Sequence, residues 1–142
     1  MQLKIKRLDP TATLPSRARP GDAGLDLCAI VDLTIPPGAT RLVATGLAIE
    51  LPLNTEGQIR PRSGLALRHG VTVLNAPGTI DEGYRGEIGV ILINHGPAPF
   101  DVRRGMKVAQ LVVQPTISVA VVAVDALTNT RRGSGGFGST GS

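Results

Sequence analysis

The sequence predicts an all-β fold of the sandwich or barrel class. Short apolar runs rich in Val, Ile and Leu recur along the 142 residues and are separated by proline and glycine. This pattern is typical of short strands joined by tight turns. The eleven prolines and eighteen glycines leave little room for long helices. A chain of this length is expected to form one domain with a modest, mainly aliphatic core.

Seven of these runs are predicted as strands, because each is short, aliphatic and bounded by turn residues. In chain order they are Leu3–Lys6, Leu33–Ile35, Leu42–Leu51, Gln58–Arg60, Ile88–Asn94, Val108–Gln114 and Ser118–Val124. One short helix is predicted over Ser63–Gly70, with Ser63 as the N-cap candidate and Gly70 as the stop.

The C-terminal residues are predicted to form a flexible arm. From Leu127 onward the chain is rich in Gly and Ser and shows no hydrophobic periodicity. The expected organisation is therefore a β-domain over residues 1–126, with an arm over residues 127–142 that belongs to the same domain.

The composition limits the classes of partner and location. The net charge of +4 and the pI near 10.0 suit a polyanionic partner, either a nucleotide triphosphate or a nucleic acid. Nucleic-acid platforms usually carry several aromatic side chains, whereas this chain has one Tyr, two Phe and no Trp. No apolar run approaches the roughly 18 residues of a membrane span, and Met1–Pro10 has no signal-peptide core. A cytoplasmic protein that binds neither membranes nor nucleic acid is expected.

The segment Leu74–Glu87 contains the densest group of candidate functional residues. Asp81 lies there in a Gly-rich turn, and it could be a general base for water or form an Asx turn or a salt bridge to Arg85. The only tyrosine, Tyr84, could be an ordinary hairpin aromatic or a flat surface under a sugar ring.

Two earlier segments are candidates for binding an anion and its counter-ion. Arg62, Ser63 and free backbone amides lie at the predicted helix start, which suits an anion, although Ser63 could be a simple N-cap. Asp22 and Asp26 lie in a Gly-rich turn that leads into a strand. Carboxylates near a phosphate site commonly hold Mg²⁺, often through water. The single cysteine, Cys28, excludes an intrachain disulfide and is expected to be a small buried hydrophobe.

The tail contains the spacing G-x-G-x-x-G at Gly133, Gly135 and Gly138. A dinucleotide-binding fold is excluded, because this motif must open a helix and only four residues follow. The tail could be a simple linker. It could also be a lid in which Arg131-Arg132 and backbone amides wrap an anion while Phe137 stacks on a base.

Taken in order, five segments resemble the five motifs of the trimeric dUTPase family. They are Ala23–Leu27, Pro61–Gly64, Leu74–Glu87, Arg104–Gln110 and Arg132–Thr140. Each segment alone is a weak signal, but their order and spacing are specific, and together they span nearly the whole chain. The resemblance implies a jelly-roll-like β-barrel, a homotrimer with shared active sites, and Mg²⁺-dependent hydrolysis of dUTP to dUMP and pyrophosphate.

The resemblance also implies a role for each matching residue. Asp81 is the catalytic carboxylate that activates water for attack on the α-phosphorus, and Asp26 meets the hydrated Mg²⁺ through water. Tyr84 lies under the deoxyribose and excludes a 2′-hydroxyl, while Asn75 and the nearby hairpin backbone read uracil. The other implied substrate contacts are Arg62, Ser63, Gly64, Gly78, Thr79, Ile80, Lys107, Gln110, Arg132, Gly133, Gly136, Phe137, Gly138, Ser139 and Thr140. In the arm, which closes over an active site, Phe137 covers the uracil; upstream of it, Val119–Val124 could line a subunit interface.

The sequence departs from the family pattern at Lys107, where the family usually has Arg. Lys keeps the charge but lacks the planar fork, so a bidentate contact is not expected there. Two other interpretations remain open. A dCTP deaminase of the same fold superfamily is disfavoured by the Tyr84 hairpin and the complete Phe137 tail. A non-enzymatic nucleotide-binding trimer is disfavoured by Asp81, because a binder needs no water-activating carboxylate.

Overall fold

Ten strands and one helix form the regular structure of residues 1–136, which are the residues that this computed structural model describes. In chain order they are β1 (Lys4–Arg7), β2 (Leu25–Cys28), β3 (Leu33–Ile35), β4 (Thr40–Glu50), β5 (Thr55–Arg60), α1 (Ser63–His69), β6 (Val71–Val73), β7 (Gly78–Ile80), β8 (Glu87–Asn94), β9 (Phe100–Val102) and β10 (Lys107–Pro115). All strand pairs are antiparallel. The predicted all-β fold with one short helix is confirmed.

Two four-stranded sheets form the body of the molecule. Their strand orders are β1-β4-β8-β6 and β2-β10-β5-β7, and β3 and β9 form a smaller third sheet. Side chains of β5 and β8 alternate between buried and more exposed positions, as expected when one face of a sheet packs on a core. One aliphatic core joins the sheets. Because the sheets do not close into a complete barrel, a jelly-roll-like sandwich describes the architecture better.

The helix α1 begins and ends close to the predicted positions. Gly70 ends it in the left-handed region with φ of 66°, and its N–H bonds the carbonyls of Ala66 and Leu65. The N-cap prediction for Ser63 is wrong, because Arg62 occupies that position and no side chain makes a capping hydrogen bond. Ser63 is instead the first helical residue, and it is exposed.

The predicted strand Ser118–Val124 is wrong. Residues 116–136 contain no strand, so the regular structure of the described chain ends at Pro115. The large aliphatic side chains of this segment are exposed: Ile117, Val119, Val121, Val122, Val124 and Leu127. The β propensity is present, but a strand needs a hydrogen-bonded partner and a surface to cover, and the segment has neither among residues 1–136.

No helix within residues 1–136 is long and apolar enough to span a bilayer.

Candidate active site

The Leu74–Glu87 segment lines a cavity of about 170 Å³, here called the hairpin cavity. It lies where the edge strand β7 meets the start of β8, and Ile59 and Ile88 contribute apolar wall. Six residues expected to act on the substrate line it together: Asn75, Gly78, Thr79, Ile80, Asp81 and Tyr84.

Asp81 presents a free carboxylate to the hairpin cavity. It is exposed and follows directly after β7. Among the contacts of residues 1–136, its side chain has neither a hydrogen bond nor an ion pair. Arg85 instead donates to the backbone carbonyls of Glu82 and Tyr84, at 2.7 and 2.9 Å. The alternatives of an Asx turn and of a salt bridge to Arg85 are therefore wrong, and the carboxylate is available to a water.

Tyr84 is held by its hydroxyl and by the absence of a side chain at Gly86. The hydroxyl donates to the carbonyl of Glu87 at 2.9 Å. A Cβ on Gly86 would lie 2.6 Å from Tyr84 Cζ, well inside van der Waals contact. The phenol ring, 46% exposed, can therefore present one face to a ligand without rotating freely.

The Asn75 side chain lies close to strand β7 because residue 78 is a glycine. Gly78 is buried, and a Cβ there would come within 3.1 Å of Asn75 Nδ2 and 3.3 Å of Ile59 Cβ. The Asn75 amide carries both donors and an acceptor, so it can pair with the polar edge of a flat ring in this cavity.

A second cavity of about 220 Å³, here called the charged cavity, gathers the other predicted residues of the chain body except Lys107. It is lined by Ala18, Asp22, Asp26, Arg62, Ser63, Gly64 and Gln110. These residues come from the loop before β2, from β2, from the start of α1 and from β10. The structure thus unites three of the segments that sequence analysis treated separately.

The Asp26 carboxylate pairs with two cationic side chains at the charged cavity. Its Oδ2 lies 2.7 Å from Lys107 Nζ, and its Oδ1 lies 3.4 Å from Arg62 Nε. Arg62 also donates to the carbonyl of Lys107 at 3.1 Å. Lys107, expected to contact substrate directly, is therefore paired with the carboxylate expected to face the metal. Sequence reasoning missed this ion pair, because β2 and β10 are neighbours only in the folded sheet.

Gln110 and Ser63 present polar groups beside these charges. Gln110 donates to the carbonyl of Pro61 at 3.0 Å. A Cβ on Gly24 would lie 2.9 Å from Gln110 Cδ, so this side chain needs the glycine beneath it. The Ser63 hydroxyl makes no capping bond, which leaves it free for a ligand.

Cys28 lies at the end of β2, two positions beyond Asp26, and is only 7% exposed. Burial raises the pKa of its thiol; Asp26 adds to this effect, whereas Lys107 and Arg62 oppose it. A buried thiol that resists ionisation is a poor nucleophile.

The two cavities are separate, because they share no lining residue. Asp26, Gln110 and Arg60 form one row across β2, β10 and β5. Leu111, Ile59 and Gly78 form the neighbouring row, and Ile59 and Gly78 line the hairpin cavity. Because successive side chains alternate between faces, the side chains of the Asp26 row and of Ile59 lie on opposite faces of this sheet.

The arm residues that the structure describes line neither cavity. Arg132 bonds locally to the carbonyl of Gly135 at 3.0 Å, and Gly133 bonds Thr130. Arg132, Gly133 and Gly136 are thus not brought to either cavity within one chain. The expected contacts of Phe137, Gly138, Ser139 and Thr140 lie outside the described residues.

Residues 10–141 match the model of the dUTPase family. The chain belongs to the dUTPase family. Two curated relatives carry the name deoxyuridine 5'-triphosphate nucleotidohydrolase. The protein of Gloeothece citriformis (strain PCC 7424) is 66% identical over 141 residues, covering 99% of this chain and 97% of the relative. The protein of Clostridioides difficile is 57% identical over 139 residues, covering 98% and 97%. The predicted family membership is confirmed.

Solved dUTPases share the fold of this chain, although their sequence identity to it is much lower than that of the two curated relatives. A mutant dUTPase of Staphylococcus bacteriophage 80alpha with dUpNHpp superposes with a TM-score of 0.93, at 23% identity and 99% coverage of both chains. A mutant dUTPase from phage phi11 of S. aureus, described with a structural Mg(II) ion, gives 0.83 at 22% identity, covering 89% and 98%. These similarities support the jelly-roll-like dUTPase fold.

Proposed function

We propose that this protein hydrolyses dUTP to dUMP and pyrophosphate, which keeps uracil out of DNA and supplies dUMP for dTMP synthesis. The names of its relatives at 57% and 66% identity over nearly the full chain support the substrate and the reaction. The observation that carries the chemistry is the Asp81 carboxylate, which has no ion pair within residues 1–136 and lines a cavity with Asn75 and Tyr84.

In the proposed reaction Asp81 acts as the general base. Its carboxylate accepts a proton from a water, the water oxygen bonds the α-phosphorus, and the bond from that phosphorus to the bridging oxygen breaks. Pyrophosphate leaves with the electron pair. A carboxylate bound to a neighbouring cation would be a weaker base, so the absence of an ion pair at Asp81 among the described residues supports this role.

The hairpin cavity is proposed to bind the nucleoside. Asn75, with the backbone of Gly78, Thr79 and Ile80, offers donors and an acceptor to the edge of uracil. The fixed Tyr84 ring supports the deoxyribose, and a 2′-hydroxyl would have to displace it. Rejection of ribose would then follow from the anchoring of that ring at Glu87 and Gly86.

The charged cavity is proposed to bind the phosphates. Arg62, Ser63, Gly64 and Gln110 supply a cation, a hydroxyl, a backbone N–H and an amide. Lys107, which is paired with Asp26, contributes positive charge.

The residues present fit a hydrated Mg²⁺ that arrives with the triphosphate. Residues 1–136 contain no group of three His, Cys, Asp or Glu side chains able to form a cage, and Mg²⁺ prefers to keep waters and bind phosphate oxygens. Asp26 would hold the ion through water. When bound, Mg²⁺ neutralises charge that builds on the pyrophosphate leaving group.

A homotrimer with shared active sites is proposed because one chain cannot surround the nucleotide. The cavities of about 170 and 220 Å³ share no lining residue, and each is smaller than the roughly 300 Å³ of common ligand sites. The exposed aliphatic side chains of residues 116–127, such as Val121 at 95%, suit burial against another subunit.

The arm is proposed to close over the site of the assembly. In this proposal Arg132, Gly133, Gly136, Ser139 and Thr140 contact phosphates, and Phe137 and Gly138 cover the base. The division of the domain at residue 126 stays a prediction, as does the cytoplasmic location, where deoxynucleotides for DNA synthesis are held.

The test is pyrophosphate release from dUTP, dTTP, dCTP and UTP with Mg²⁺, comparing wild type with Asp81→Ala. Wild type should turn over dUTP alone, and the variant should lose about 10²- to 10⁴-fold in kcat while still binding dUTP. Deamination of dCTP, or dUTP binding without turnover by wild type, would contradict the proposal.

A further inference from the structure

The segment that carries Asp81 has few attachments to the rest of the molecule. Residues 81–86 lie between β7, an edge strand of one sheet, and β8 of the other. The segment is closed internally by the Tyr84 N–H on the Asp81 carbonyl, at 3.0 Å, and by Arg85 on two carbonyls. These bonds give the turn its shape but do not fix where it lies.

The side chain of Glu82 connects this segment to Asn54, a residue that is distant in sequence. Its Oε2 accepts the backbone N–H of Asn54 at 2.7 Å, across the turn between β4 and β5. Among residues 1–136, this is the only side-chain hydrogen bond from residues 81–86 to a residue outside that segment and the adjoining Glu87. A carboxylate on an amide N–H is a charge-assisted bond, stronger than a neutral one.

Asn54 is a rigid anchor. Its carbonyl accepts the N–H of Thr116 at 2.9 Å, next to the Thr55–Pro115 pair that ends the β5–β10 ladder. Its φ of 58° places it in the left-handed region. Both contacts use the Asn54 backbone.

We propose that Glu82 is a positioning residue that holds the Asp81 carboxylate in place by bonding the Asn54 backbone; this rests on the dUTP hydrolysis proposed above. Tyr84 has its own anchor at the Glu87 carbonyl, whereas Asp81 has no side-chain partner among the described residues. Loss of the Glu82 contact should therefore act on catalysis more than on nucleoside binding.

The experiment measures kcat and KM for dUTP in Glu82→Ala, Glu82→Gln and Asn54→Gly. Glu82→Ala should lower kcat by about 10- to 100-fold, the order expected from displacing a catalytic group by about 1 Å, and change KM by less than about 3-fold. Glu82→Gln retains an oxygen acceptor and Asn54→Gly retains the N–H and tolerates the positive φ, so both should stay near wild type. Asp101→Ala, on the distant strand β9, controls for the loss of an exposed carboxylate.

Amide exchange at Asn54 provides a readout that needs no substrate. This N–H should exchange faster in Glu82→Ala than in wild type or Glu82→Gln. Unchanged kcat in Glu82→Ala, or an equal loss in Glu82→Gln, would overturn the positioning role. If wild type released no pyrophosphate, the proposed function would fail, and the exchange measurement alone would decide whether Glu82 holds the segment.

Discussion

The hairpin cavity and the charged cavity are held by different forces. Around Asp81, glycine contacts and hydrogen bonds to backbone carbonyls fix Asn75 and Tyr84, and the carboxylate itself has no partner among the described residues. Around Asp26, opposite charges hold one another at 2.7 and 3.4 Å. The groups that we propose for nucleoside binding are thus held in place before a ligand binds, whereas those proposed for the phosphates must redistribute their charges as an anion enters.

Among the variants that compare the two cavities, the largest effect is expected at Asp26, the carboxylate that pairs with both Lys107 and Arg62. Asp26→Asn keeps the shape but removes the charge that would meet hydrated Mg²⁺, so kcat/KM should fall by about 10- to 100-fold and more Mg²⁺ should be needed. A titration of dUTP turnover against Mg²⁺ measures both quantities. Asp22→Asn is the control in the same cavity, since its amide oxygen can still accept the Arg19 N–H; equal responses would contradict the assignment.

A smaller loss of kcat/KM is expected from Gly86→Ala in the hairpin cavity. The new Cβ must displace a ring that is fixed at its far end, and overpacking of this kind costs about 1–3 kcal/mol. We expect a loss of about 10-fold in kcat/KM for dUTP, seen by steady-state kinetics. Gly83→Ala is the matched control because open space surrounds that position. Similar kinetics for the two variants would argue against a preformed Tyr84 surface.

A glycine-to-alanine substitution in the charged cavity should have a weaker effect. A Cβ at Gly24 would meet the Gln110 side chain, whose terminal amide can move. Gly24→Ala is expected to lower kcat/KM by about 3-fold, because the overpacking is partly relieved by that motion. A larger loss than that of Gly86→Ala would reverse the comparison between the cavities.

The smallest change is expected for Lys107→Arg. A guanidinium can pair with Asp26 as the ammonium does, and the pair needs charge more than a planar fork. Kinetics within about 2-fold of wild type are expected on this basis. A 10-fold gain would show that residue 107 contacts the substrate directly through a bidentate bond.

The fold class was predictable because the pattern of short aliphatic runs is local. The helix at residues 63–69 and most long strands follow from that pattern. The strands β6, β7 and β9, of three residues each, were missed, although the equally short β3 was predicted. Ser118–Val124 was wrongly predicted as a strand because propensity does not reveal whether a pairing partner exists.

The site was predictable in its residue types but not in its arrangement. One short segment of the sequence contains Asn75, Asp81 and Tyr84, so their assembly into one cavity could be expected. The Lys107–Asp26 pair and the Glu82–Asn54 contact join distant segments through sheet register and a turn, which no single sequence reveals. For the same reason, the separation of the two cavities became visible only in the structure.

The most direct test of a shared dUTP-hydrolysing site is the mixing of two inactive variants. Asp81→Asn disables the hairpin cavity, and Arg62→Ala disables the charged cavity. If each site combines these cavities from different chains, co-refolding the two variants at equal amounts should restore about a quarter of the wild-type sites by random assembly. Each variant refolded alone should stay inactive. No recovery in the mixture, despite mixed oligomers, would show that each chain works alone and would contradict the shared site.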